Sequence, residues 1–231
     1  LVQLAVTFQL VWALLSSAPA LASCSWRFAV DLLRQWVQDL RHSGLWVDGW
    51  RAAFVAVDRL LEVPMPLHSV ALHLGVLCST LGECVCNSGT LTAPQRAALG
   101  SRALQVGLRM LDRWQSLRRL CRGKFTSSRW LLGILRLLGS AGHWTADLTQ
   151  LLLPRFHDKG ALSCGSLSEY EFRITLLWLH NLTNGDARCA VVNVACSQWL
   201  RWLSSHAMLL SCDIQTRQVW AQYLMKRVFK S

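Results

Sequence analysis

Apolar residues recur at three- and four-residue spacing along nearly the whole of this chain, and no run shows the strict alternation of a half-buried strand. That period belongs to an α-helix that lays one stripe against other protein. The pattern is plainest from Leu167 to Phe229, which reads as three helices, LSEYEFRITLLWLHNLT, DARCAVVNVACSQWLRWLSSHA and CDIQTRQVWAQYLMKRVF. The first opens with Ser166 and has Glu169 three residues later, the spacing of a capping box, and it stops at Asn184 and Gly185. Phe172, Leu176, Leu179 and Leu182 form its stripe.

The same grammar of cap, stripe and stop runs upstream. A helix is expected from 26 to 42, with Phe28, Leu32, Trp36 and Leu40 on its stripe and Asp31, Arg34, Asp39 and Arg41 away from it. After Gly44 comes a helix from about Leu45 to Val63, closed by Pro64 and Pro66. The next runs from Leu67 to Leu81 and ends at Gly82, and Glu83 to Thr92 reads as a loop. Thr92 is placed to cap a long helix with Pro94 in its first turn, continuing to about Arg122. Gly123 to Thr126 breaks it; further helices follow over about Ser127 to Leu138 and Thr145 to Leu153, before Pro154. Residues 1–24 are uncharged and read as a buried first helix. The alternatives are a secretory leader, which lacks the usual Met and basic start, or a membrane segment, which Pro19 leaves short. The expectation is an all-α chain of about ten helices, with repeats over 1–154, a polar linker over 155–165 and a three-helix unit over 166–231. The start at Leu1 suggests a fragment of a larger protein.

With 231 residues, 52% of them hydrophobic, the chain can bury a large core without covalent staples. Its nine cysteines are therefore read as small core residues rather than a disulfide set; Cys189 and Cys196, for instance, lie two helical turns apart on one face. A reducing, intracellular setting in cytoplasm or nucleus follows. Secretion is the alternative if residues 1–24 are a leader, and only then does the sequon at Asn181 matter.

Catalytic and metal-binding patterns are missing. There is no phosphate-cradling glycine loop, no Gly-x-Ser-x-Gly elbow and no His-Glu-x-x-His pair, so no enzyme and no cofactor are expected. Cys78, Cys84 and Cys86, with His73 nearby, make the one metal-like cluster, and their Cys-x-Cys spacing fits zinc poorly. His73 and His180 fall near apolar helix ends and read as satisfied core or boundary side chains.

Charge is the remaining signal. The formal net charge is +11, from 24 basic and 13 acidic residues, which favours anionic partners. It concentrates in Arg102, Arg109, Arg113, Arg118, Arg119, Arg122, Lys124, Arg129 and Arg136, with Asp112 the only acid between 102 and 136. On a helix Arg102, Arg109 and Arg113 share a face. Such a stripe can meet an acidic protein or neutralise phosphates, with Trp114 and Trp130 as stacking surfaces; alternatively it is a solvated face with the tryptophans buried behind it.

Three segments echo one another: LHLGVLCSTLG, LGILRLLGSAG and TLLWLHNLTNG each pair a leucine-rich helix end with a small or amide residue and a glycine stop. Ser79, Ser140 and Asn181 occupy similar places, an irregular period near forty. The continuation TLLWLHNLTNGDARCAVVNVACSQWLRWL resembles the armadillo and HEAT repeat families over about thirty residues. That resemblance implies an irregular α-solenoid of stacked helix pairs acting as a scaffold for other proteins; an irregular helical bundle is the alternative architecture. The expected partner is an acidic protein segment contacting Arg102, Arg109, Arg113, Arg118, Arg119, Arg122 and Lys124. A nucleic-acid-binding module and a secreted helical ligand are the competing functions. A membrane partner is not expected.

Overall fold

A computed structural model describes residues 22–62, 71–118, 124–142 and 148–156, together with 6, 13, 161–162, 167–168, 170–171, 174–175 and 178. Six helices follow in order: α1 (Ala22–His42), α2 (Trp46–Glu62), α3 (Ala71–Cys86), α4 (Ala93–Arg118), α5 (Lys124–Gly142) and α6 (Leu148–Phe156). No strand occurs among the described residues, as the helical period requires. The expected helix before residue 22, the last two helices and most of the 155–165 linker lie outside the described residues.

Local chemistry sets the boundaries. Gly44 takes a φ of 71°, a conformation costly for residues with a Cβ, and turns the chain directly from α1 into α2. At the start of α4 the Thr92 amide and hydroxyl both donate to Gln95 Oε1 at 2.9 Å, and Thr92 O accepts from the Arg96 amide at 2.9 Å. Thr92 is thus the cap its position suggests.

Several expectations need correction. Phe28 is 55% exposed, and the buried stripe of α1 is instead Trp26, Ala29, Val30, Leu33, Trp36, Val37 and Leu40. Gly82 does not end α3, because its bare face lies against Arg136 and Ser140 of α5 and the buried Cys84 and Val85 carry the stripe on to Cys86. The helix closes where Ser88 Oγ donates to Cys84 O at 2.6 Å and accepts from Trp46 Nε1 at 3.1 Å. Helix α5 begins at Lys124 and runs past Leu138 to Gly142, while α6 includes Pro154 and Arg155, the latter placed by sequence in a linker. Two Ser-x-x-Glu spacings fall near residue 168. A box forms on Ser168 and Glu171, with the Ser168 amide and hydroxyl donating to Glu171 Oε2 at 2.9 and 2.8 Å; the expected pair Ser166 and Glu169 lies outside the described residues.

The odd-numbered helices α1, α3 and α5 lie side by side and run the same way. Between α1 and α3, His73 Nδ1 sits 3.0 Å from Asp31 Oδ1, and ten residues further along both helices Arg41 Nη1 donates to Glu83 Oε2 at 3.0 Å. Between α3 and α5, Gly75 meets Arg129, Trp130 and Gly133, Gly82 meets Arg136 and Ser140, and Cys86 Sγ donates to Ser140 Oγ at 3.2 Å. Two of the echoed segments thus pack on each other, with Leu-Gly-Val-Leu (74–77) against the stretch holding Leu-Gly-Ile-Leu (132–135). A Cβ on Gly133 would run into the carbonyl oxygen of Gly75, so here backbone touches backbone. The even helices form their own contacts, α2 with α4 through Asp58 and α4 with α6 through Asp112 and Arg155 at 3.2 Å.

One apolar core fills the space between these helices, its largest fully buried side chains including Trp26, Trp114, Trp130, Phe54 and Phe156. Burial of this aromatic and leucine surface is the main favourable contribution to folding. Trp114 and Trp130 are each 1% exposed, so they are core residues and not stacking platforms.

Candidate functional site

Helix α2 repeats an apolar residue every four positions, Trp50 then Phe54, and places Asp58 next in that register. A carboxylate so positioned is carried towards the interior, where it needs charged donors. Helix α4 supplies them. Arg102 Nη2 donates to Asp58 Oδ2, and Arg109 Nη1 donates to Oδ1 at 2.6 Å. Arg102 also reaches Gln105 Oε1 at 3.3 Å.

The two partners differ in exposure. The Asp58 side chain is 11% exposed, while those of Arg102 and Arg109 are 36% and 46% exposed. One buried acid therefore holds two half-exposed guanidiniums, and the cluster keeps one surplus positive charge. Each guanidinium has five N–H donors, so both retain donors on their open sides.

The other arginines singled out by sequence divide. Arg113 is half-buried. Arg118, the last residue of α4, pairs with Glu171 at 2.7 Å, its guanidinium 5.5 Å from the centre of the Trp114 ring. With Glu171 only 2% exposed, this pair ties Glu171 to the end of α4. Arg129 and Arg136 are exposed on α5. Arg119 and Arg122 lie outside the described residues, as does the side chain of Lys124. Asp112 faces Arg155 of α6. The structure thus brings Arg102 and Arg109 to one point and directs Arg118 elsewhere. Sequence reasoning missed Asp58, whose signal was an acid sitting in an apolar register.

The cysteine and histidine cluster does not converge. His73 bonds Asp31 and is half-buried, as expected of a boundary histidine. Cys86 faces Ser140, Cys78 lies 2.8 Å from Met110 Sδ, and no metal-sized group of ligating side chains occurs among the described residues. Burial pushes the Cys84 thiol up to about 11, with Arg41 partly opposing it, and burial pushes Cys78 higher still. Neither is a thiolate at neutral pH, so neither is ready to act as nucleophile or ligand.

No described helix is long and apolar enough to cross a membrane. Comparison of the chain with protein-family models, with curated proteins and with solved structures gives no match. The armadillo and HEAT likeness accordingly rests on the quoted residues alone.

Proposed function

We infer that the chain is a non-enzymatic interaction scaffold, a stack of helix pairs that binds an acidic protein partner through its arginine-bearing face. The observation that carries this reading is a recurring register. His73–Asp31, Arg41–Glu83 and Trp46–Ser88 each join residues 42 apart, Arg102–Asp58 joins residues 44 apart and Arg155–Asp112 residues 43 apart, while Arg109–Asp58 and Cys86–Ser140 span 51 and 54 and Cys78–Met110 spans 32. Contacts between equivalent places in successive repeats have the form of the first group, because each repeat meets its neighbour through the same faces. Stacking of this kind yields extended surfaces, and on this one the half-exposed arginines of α4 favour anions.

The competing nucleic-acid reading loses support from the burial of Trp114 and Trp130, which removes its stacking surfaces. Affinity capture from lysate with and without nuclease, read by mass spectrometry, tests the assignment. Acid-rich protein partners that persist after nuclease and are lost on reversing charge at Arg102 and Arg109 support it. Partners that vanish with nuclease, with a steep dependence on salt, would replace it with a nucleic-acid module.

A further inference from the structure

Resting on that scaffold reading, we propose that Arg102 and Arg109, held together by Asp58, form an oriented two-arginine clamp for a carboxylate of the partner's acidic segment. The two arginines stand seven residues apart on α4, about 10 Å along the axis at 1.5 Å per residue. Their head groups nevertheless meet on opposite oxygens of the same carboxylate. Asp58 draws them to one point and restricts their rotamers before any ligand arrives.

Free arginines lose side-chain entropy when they bind; arginines already restrained by a buried acid lose less, so more of the interaction appears as affinity. The 11% exposure of Asp58 keeps the acid out of the partner's reach, while the 36% and 46% exposure of the arginines leaves their outer donors open. Two planar forks beside each other match the paired oxygens of a carboxylate. The single surplus positive charge is neutralised by one carboxylate and overfilled by a dianionic phosphomonoester; against the monoanionic phosphodiesters of a nucleic acid the buried Trp114 and Trp130 supply no stacking surface, so the paired forks favour an Asp- or Glu-rich segment.

Fluorescence anisotropy at physiological ionic strength, with a labelled oligoglutamate peptide and an oligothymidylate of equal charge, tests the clamp on the full chain. Arg102→Gln/Arg109→Gln should weaken peptide binding by about tenfold or more, since each variant residue loses a charged hydrogen bond. Arg102→Lys/Arg109→Lys keeps the charge and a partner for Asp58 but loses the forks; it should still weaken binding several-fold, with an unchanged circular dichroism spectrum. The charge-matched control Arg27→Gln/Arg51→Gln, on other exposed positions, should bind as the parent does.

Should the glutamine variant fail to fold, the lysine variant carries the test. Lysine substitution without effect, equal losses in the control, or tighter binding of the oligothymidylate would each overturn the clamp. Captured protein partners that persist in the lysine variant would leave the scaffold reading standing and remove this site alone.

Discussion

The contact of α3 with α5 and the contact of α2 with α4 join helices of the same layers by opposite means. At the first, Gly75 and Gly133 remove side chains altogether so that backbone lies on backbone, and the contact continues through Gly82 against Arg136 to the side chains of Cys86 and Ser140. At the second, long arginines from α4 reach across to a single carboxylate on α2. The glycine seam is defined by shape and has no room to adjust. The arginine seam is defined by charge, bridges the gap between helices with long side chains, and leaves polar groups facing solvent. A fold can therefore set its geometry at one seam and offer recognition chemistry at the other.

The largest effect should come from filling the glycine seam. In Gly133→Ala the new Cβ would meet the Gly75 carbonyl, which cannot rotate away, so thermal or urea unfolding should show a loss of about 3 kcal/mol. At the arginine seam, Asp58→Ala leaves two guanidiniums that are already more than a third exposed and well hydrated. The expected loss is about 1 kcal/mol by the same measurement, small because solvent screens such pairs. A loss as large as that of Gly133→Ala would erase the contrast drawn between the seams.

Gly107→Ala sharpens the first comparison, because its Cβ would meet Leu138 Cδ2 at 2.7 Å, the far end of a flexible side chain. Rotation of Leu138 and the better helix propensity of alanine should hold the net change below about 1 kcal/mol. A similar contrast separates two neighbouring thiols on α3. Exposed Cys86 should be alkylated in the folded chain while buried Cys84 reacts only on unfolding, as peptide mass mapping after a short iodoacetamide pulse would record. Since burial raises the folded Cys84 pKa from 9.0 to about 11, its contribution to stability is fully present below pH 9. It declines as pH rises from there towards about 11, where the unfolded chain alone has lost the proton.

Much of this was legible in the sequence because helix-forming periodicity is a local property. Trp46–Glu62 and the Thr92 cap of α4 follow from spacing and turn chemistry alone, and the stripe of α1 was misjudged only by which residues begin it. What the stripe cannot show is which helix covers it. Gly82 looks like a stop in one dimension, and only the closeness of Arg136 and Ser140 reveals a contact glycine. Asp58 was overlooked for the same reason: its arginines lie 44 and 51 residues away, and no local rule links them. The likeness of LHLGVLCSTLG to LGILRLLGSAG, aligned on Ser79 and Ser140, was visible as a repeat. That the two copies face each other is information carried by the fold.

Helices α1, α3 and α5 stack side by side in one direction, and spin-label distances test this most directly. Labels introduced through a non-cysteine chemistry at the exposed positions 76, 83, 129 and 136 report on α3 and α5 without disturbing the native thiols. Double electron–electron resonance should find the pairs 76–129 and 83–136 short and alike. The crossed pairs 76–136 and 83–129 should be longer, because seven helical residues add about 10 Å along the axis. Crossed pairs shorter than the direct ones would mean that α3 and α5 run in opposite directions, and the layered stack would be contradicted.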